Sequence, residues 1–552
     1  KTEKRFIGNI KADYKLPFLP QLTATVNMGL DRSMTDGKII TDKRMPKEPK
    51  TLLDKNSTYE NEHTNRLFDA YINYQNTFDK KHTLSLMAGH SYQDFYYYGK
   101  FKEIEKHSDA TLNKNKKPNI DIAKSVLVSF FGRMNYNYDD KYLVTATLRA
   151  DASSKLSPKG RWGLFPSVAL AWNLSNEDFI KDIEQINQLK LRLGYGEVGN
   201  VNGLGDYKFI TNYTVSDQYH MYQFGNNFYP MYRPSAVSED LKWEIGNTQN
   251  IGLDYAFFDN RVFGSIDAYI KTTKDLIAEV AIDPFTNFSN RIARNIGTMT
   301  NKGVEMSINV KPVKHTADFD WTINTNFAYN KNKVDVLTNT MAVGGITGGT
   351  GNNVQLNKEG ETPNSFYLYR QIYDEKTGKP IEGLFLDVNK DGQINTSDLR
   401  INESPYAPFT MGLGTSLRYK RFDFNFASRL NIGNYVYNNI ASLLTPLSQA
   451  SNNGVLRNRS RDYFNSGFVS ETNQNYLSDY YLENASFFKL DNITLGYTFV
   501  ENKNLRIRTY ATMQNILTIT DYKGLDPEIN GGIENNFYPR PKVVLVGLNI
   551  NF

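Results

Sequence analysis

Strict period-two alternation recurs along the whole chain, and its runs are joined by very short turns and very long connections in turn. In "KYLVTATLRAD", Tyr142, Val144, Ala146 and Leu148 fall on one face and Thr145, Thr147, Arg149 and Asp151 on the other. In "FDFNFASRL", Phe422, Phe424 and Phe426 oppose Asp423, Asn425 and Arg429, and in "NLRIRTYATM", Leu505, Ile507 and Ala511 oppose Arg506, Arg508 and Thr512. Successive side chains of a strand point to opposite faces, so each run predicts a strand with one apolar and one polar face. The turns at 138–141, 258–261, 419–423 and 499–504 take only a few residues, whereas the connections near 98–123, 197–243, 274–292, 333–408, 431–483 and 517–540 are long. A soluble sandwich also alternates, but a single core rarely tolerates so many loops of that length. Tight turns at one end and elaborate loops at the other are the signature of an up-and-down barrel spanning a membrane.

The fold expected is therefore all-β, an antiparallel transmembrane β-barrel with long extracellular loops and short periplasmic turns, occupying residues 1–552 as one unit. Pattern matching places strands near 4–15, 20–31, 64–78, 82–96, 125–138, 142–151, 164–174, 188–196, 247–257, 261–272, 296–311, 319–331, 409–419, 422–432, 485–499, 504–516 and 541–552, about 17 in all. No run of 18 apolar residues exists, and the mean hydropathy of −0.53 is that of a soluble chain. Neither observation excludes a membrane, because a spanning strand needs only about 9–11 alternating residues. The 36 Tyr and 33 Phe concentrate near strand ends, as in "YNYDDKY" and "YAFFD", where an interfacial aromatic girdle would place them. The terminal Phe552 suits the periplasmic rim in the same way.

With no cysteine, disulfide frameworks and thiol chemistry are excluded, and a net charge of +5 over 552 residues argues against a nucleic-acid partner. No hydrolase constellation is present: the six histidines form no H-E-x-x-H pair and there is no G-x-S-x-G elbow, so no catalytic residues are assigned and the chain is not expected to be an enzyme. Gly194, Gly196 and Gly199 in "GYGEVGN" spell G-x-G-x-x-G, but no helix follows to meet a pyrophosphate, and the glycines are expected to ease a strand into its loop.

Two stretches carry candidate binding chemistry. In "DVNKDGQINTSD", Asp387, Asn389 and Asp391 occupy positions 1, 3 and 5 of a twelve-residue loop. Gly392 stands at 6, Gln393 offers its carbonyl at 7, and Asp398 falls at 12. Oxygen ligands at that spacing suit one hard cation, with Ca²⁺ favoured in a structural role, although Asp in place of Glu at position 12 shortens the last arm. The same residues also make a polar Asx turn without metal. The stretch "YHMYQFGNNFYPMYRP" carries Tyr219, Tyr222, Phe224, Phe228, Tyr229 and Tyr232, aromatics that either stack on sugar rings or peptide side chains or close the loop on itself.

Several long segments, among them "GRMNYNYDDKYLVTATLRADASSKLSPKGRWGLFPSVALAWNLSNEDF", "LKLRLGYGEVGN", "LKWEIGNTQNIGLDYAFFDNRVFGSIDAYIKTTKDLI", "NIGTMTNKGVEMSINV" and "DVNKDGQIN", closely resemble the SusC/RagA family of TonB-dependent outer-membrane transporters of Bacteroidota. The resemblance runs from about residue 124 to Phe552, with 1–100 fitting more loosely. It implies active import of large nutrients, glycan or peptide oligomers, across the outer membrane, with a SusD-like surface lipoprotein as lid and the TonB–ExbB–ExbD system as energy source. It also implies that plug, TonB box and first strands lie outside these residues, so that the chain is the C-terminal portion of such a barrel. Parity agrees: an odd number of strands cannot close an antiparallel barrel, and plugged transporters have 22 strands, so about five should precede Lys1 and leave the barrel gapped. A passive porin is the alternative reading.

Overall fold

The computed structural model describes residues 1–40, 52–107, 114–115, 117–216, 220–283, 291–346, 352–452, 455–456, 458–470, 474–535 and 538–552. Among them are seventeen strands of nine residues or more, the number expected. Among the described residues no helix is long and apolar enough to cross a membrane. The chain divides into two units, one of 1–172, 194–247 and 273–296, the other of 173–193, 248–272 and 297–552.

The first unit opens with seven strands: β1 (Thr2–Leu16), β2 (Leu19–Ile40), β3 (Leu52–Phe78), β4 (His82–His107), β5 (Asn119–Tyr138), β6 (Tyr142–Ser153) and β7 (Trp162–Asn173). Each pairs antiparallel with the next in chain order. Their short turns take positive φ where the hairpin demands it: Asp139 and Asp140 both sit at φ 52°, the geometry that matches the right-handed twist of the flanking strands. Tyr138, Tyr142 and Trp172 lie in register at that end, with ring centroids 6.3 and 6.1 Å apart, forming one arc of an aromatic girdle.

Residues of β8 (Ile186–Asn200), β9 (Glu244–Phe257), β10 (Val262–Ala281) and β11 (Arg291–Val310) are shared between the units. The second unit continues through β12 (Phe319–Leu337), β13 (Phe409–Tyr419), β14 (Phe422–Ile432), β15 (Phe487–Glu501), β16 (Arg506–Thr520) and β17 (Val543–Asn551). β11 to β17 again pair antiparallel in sequence. Here too aromatic rungs mark the short-turn end, Phe319 beside Tyr419 at 6.3 Å and Phe422 beside Tyr497 at 4.7 Å.

Several strands run much further than the hydropathy pattern indicates. β3 begins at Leu52 rather than near 64 and β4 continues to His107 rather than near 96, so part of the expected 98–123 loop is sheet. The cause is physical. Beyond the hydrocarbon both faces are polar, as in "NSTYENEHTN", so the alternation fades while backbone pairing, which is indifferent to side chains, continues. Most of the closely packed apolar residues lie in the connections, joined in the first unit by Phe165 of β7 and Ala293 of β11. One cluster (Leu156, Phe165, Val201, Leu204, Leu241, Trp243, Ala293) serves the first unit. Another (Ile346, Val354, Phe366, Leu368, Tyr437, Phe468, Tyr481) serves the second.

Candidate functional site

In the second unit the described residues of the long connections 338–408 and 433–486 fold on each other. Val354, Phe366, Leu368, Tyr437, Phe468 and Tyr481 are at most 1% exposed, which gives this layer a core of its own. Polar contacts lock it: the Gln371 side chain donates to the carbonyls of Ile381 (2.7 Å) and Leu384 (3.2 Å) and accepts from the Ser478 hydroxyl at 2.8 Å. The Asn475 amide donates to Glu382 at 3.1 Å.

The twelve-residue loop is anchored to this layer. It follows the strand Pro380–Phe385, and Tyr369 stacks on Phe385 with ring centroids 4.9 Å apart. Asp387 accepts backbone N–H bonds from Lys390 (2.6 Å) and Gly392 (2.8 Å), Asn389 accepts from Asp391 N (3.1 Å), and Asp391 accepts from Gln393 N (2.8 Å). Gly392 sits at φ 79°, the left-handed conformation that position 6 requires. Asp398 closes the loop from a fully buried position, accepting from Val388 N at 2.8 Å and Asn395 N at 2.9 Å, the latter as half of a capping box on the turn Thr396–Asp398. These backbone donors, Asn395 first, hold the Asp398 carboxyl below its ordinary range against the opposing effect of burial. Gln393 takes part through its backbone N–H, a different group from the carbonyl that position 7 offers a cation. Among the described residues no three acidic, imidazole or thiol groups converge on one point.

In the first unit, Tyr219 lies outside the described residues. The strand Tyr222–Phe224 pairs with Asn227–Tyr229 around Gly225, and Tyr232–Pro234 pairs with Tyr213–Val215. Tyr222, Phe224, Phe228, Tyr229 and Tyr232 are 52–69% exposed. The rings of Tyr222 and Phe224 stack on one face of the hairpin, centroids 6.5 Å apart, and Phe228 stands on the other. The loop does not bury these rings on itself. Burial in this region falls instead on Phe165 and Trp243, whose rings meet edge to face at 5.4 Å, with the indole donating to the Arg161 carbonyl at 2.9 Å. Gly199 belongs to that packing: a Cβ there would collide with both rings. Gly199, one residue before β8 ends at Asn200, therefore makes room for Phe165 of β7 and for Trp243 where the strand passes into its loop.

One group of residues was not anticipated from sequence as a unit. On the polar face of β14 and β15, Arg429 donates to Asp491 (2.7 and 2.9 Å) and Glu528 (2.7 Å), while Lys489, 3% exposed, donates to Asp526 (2.6 Å) and Glu528 (3.1 Å). Arg540 reaches Asp526 at 3.2 Å and Glu528 at 2.9 Å. Burial alone would raise Glu528, yet the hydrogen bonds from Arg429 and Lys489 outweigh it and bring the carboxyl down to about 2. The only advance signal is that Arg429 falls on the polar side of an alternating strand; its partners lie 62 and 99 residues away.

Comparison with known proteins gives three findings. The family described as TonB dependent receptor-like, beta-barrel matches residues 8–516. The chain is 37% identical to the TonB-dependent receptor SusC of Bacteroides thetaiotaomicron, over 99% of this chain and 56% of that protein, and 32% identical to TonB-dependent receptor P3 of Formosa agariphila, over 89% and 52%. It thus spans little more than half the length of these relatives. Among solved structures, the RagAB peptide transporter superposes with a TM-score of 0.81 at 23% identity, covering 100% of this chain and 62% of that one, a likeness of fold.

Proposed function

Because the chain belongs to the TonB dependent receptor-like β-barrel family, we propose that it is the C-terminal barrel portion of a SusC-like importer that takes up large nutrients, glycan or peptide oligomers. Its place is the outer membrane of a Gram-negative bacterium. In this reading a SusD-like surface lipoprotein caps the long-loop end, and energy arrives from TonB–ExbB–ExbD through a plug carried on sequence outside these residues. The exposed aromatics Tyr222, Phe224, Phe228, Tyr229 and Tyr232, together with Tyr219, contact substrate, and no catalysis takes place. The observation that carries this is the 37% identity to SusC over 99% of the chain. The folded layer over the loops supports it, since a simple pore has no need of one. A passive porin is not favoured by the family match. The test is uptake of labelled oligosaccharides and oligopeptides by cells carrying or lacking the intact gene, with and without a functional TonB. Uptake that depends on both supports the proposal. Uptake that persists unchanged without TonB returns the porin.

The oxygen donors of the twelve-residue loop suit a hard divalent cation, and we propose that Asp387, Asn389, Asp391, Asp398 and the Gln393 carbonyl hold a structural Ca²⁺. Two observations support it: Asp398 is a fully buried carboxylate, and none of the three aspartates pairs with a lysine or arginine among the described residues. Bound there, the ion would cross-link the ends of the loop. Calorimetric titration should find one Ca²⁺ per chain, lost in Asp387→Ala, and chelation should speed proteolysis within 333–408. Proteolysis indifferent to chelator would refute the site.

A further inference from the structure

The outward face of the β11–β12 hairpin carries an apolar band closed by an aromatic and then, immediately beyond it, a patch of lysines. Trp321, Ile323 and Phe327 of β12 share a face with Val304, Met306 and Ile308 of β11, as the register fixes through the pairs Phe327–Met306 and Tyr329–Val304. The band begins at Phe319, in register with Tyr419 at the short-turn end, and ends at Tyr329, in register with Phe409. From Phe319 to Tyr329 is about 34 Å along the strand at roughly 3.4 Å per residue, or about 26 Å of height at a tilt near 40°, the height of the apolar belt of an outer-membrane barrel. Lys331 and Lys333, next on that face after Tyr329, therefore stand at headgroup level on the long-loop side. Lys302 joins them as the direct cross-strand partner of Lys331, and Thr300 is the partner of Lys333.

These side chains line a single recess of about 530 Å³ that also includes Val304, Tyr329 and Asp335. All three lysines are exposed, and none makes an ion pair among the described residues. Asp335, on the irregularity where β12 shifts register against Thr298 and Met299, receives the Thr300 hydroxyl at 2.5 Å. Two like charges placed directly opposite on one face of a sheet repel each other, so the Lys302–Lys331 pair disfavours the fold unless an anion stands between them. Lysine ammonium groups are point-charge binders of phosphate. We propose that this recess binds the phosphate of an outer-leaflet lipid headgroup, with the acyl chains lying down the band over Val304 and Met306. The inference rests on the outer-membrane location and not on what the protein transports.

The test uses the complete receptor purified from its native membrane with its partner, in detergent micelles titrated with diphosphoryl lipid A or with the same lipid dephosphorylated, and read by native mass spectrometry. The wild type should bind the phosphorylated form preferentially. Lys→Gln at positions 302, 331 and 333 should weaken binding by about fivefold each and about a hundredfold together. Lys503→Gln, the same charge change at a short turn, should leave it unaltered. Equal binding of the two lipids, an equal loss in Lys503→Gln, or displacement by an equal concentration of inorganic phosphate would overturn the proposal. Should the triple variant fail to fold, Lys331→Gln alone decides. It should melt no lower than wild type without lipid, because repulsion is relieved, and gain less from lipid A. An undiminished gain would overturn the proposal.

Discussion

Lys489→Met isolates the contribution of the buried Lys489–Asp526 pair at the centre of a half-buried charge lattice. Arg429, Lys489 and Arg540 face Asp491, Asp526 and Glu528, so three cations balance three carboxylates. Methionine retains the stem and removes the charge, leaving two cations for three acids around a site where Lys489 is 3% and Asp526 6% exposed. Removing one partner of a buried pair costs about 3–5 kcal/mol when the other is left alone. Here Asp526 keeps Arg540 and Glu528 keeps both arginines, so the loss falls to the lower end of that range or below, about 2–3 kcal/mol. That is about a 30- to 150-fold rise in the opening equilibrium of the segment that carries Asp526 and Glu528. Hydrogen exchange of residues 521–535 near pH 7 reads it directly, with the β13–β14 amides as an internal control that should not change. Lys489→Met combined with Asp526→Asn restores the balance and should recover more than half of the protection. Acceleration below threefold in the single variant, or a double variant more open than the single, would show that the lattice is not what holds the segment.

Three further outcomes follow from the same structure. Glu528 is held at about 2, below its unfolded value near 4.3, so its stabilising effect is present above that value, declines as pH falls below about 4.5 and is gone below about 2. Pepsin nicking within 521–535 should accordingly rise steeply as pH drops from 4 toward 2, and Glu528→Gln should flatten the profile. Phe468→Ala removes a fully buried ring from the loop core, at a cost of about 3–5 kcal/mol. Exchange should then accelerate across 433–486 while the heat-modifiable electrophoretic mobility of the barrel is retained. Tyr222→Ala and Phe224→Ala remove exposed rings that carry little folding energy, so thermal stability should be unchanged and oligomer affinity should fall about two- to tenfold for each, as expected for one lost stacking contact. Unchanged affinity for every oligomer tested would remove the hairpin from the substrate path.

Much of this molecule is legible without coordinates because membrane-spanning strands write themselves in a short local code. The alternation of Phe422, Phe424 and Phe426 with Asp423 and Asn425 reports which face meets lipid. The Asp139–Asp140 turn reports where the hairpin reverses, and seventeen strands follow from repeating that reading. The turn of the Asp387 loop is legible for the same reason: its hydrogen-bonding residues lie within twelve positions, and the spacing alone sets Gly392 at the left-handed position. What only the tertiary structure decides are the relations between residues far apart in the chain. Strand ends such as Leu52 and His107 depend on backbone pairing that outlasts the apolar pattern. The role of Gly199 depends on Phe165 and Trp243 arriving from other segments, and the ionic state of Glu528 depends on Arg429, 99 residues away. Local sequence carries the period of a strand and the chemistry of a turn; it carries no record of which distant side chain will remove water from a charge, because that is settled by packing across the whole fold.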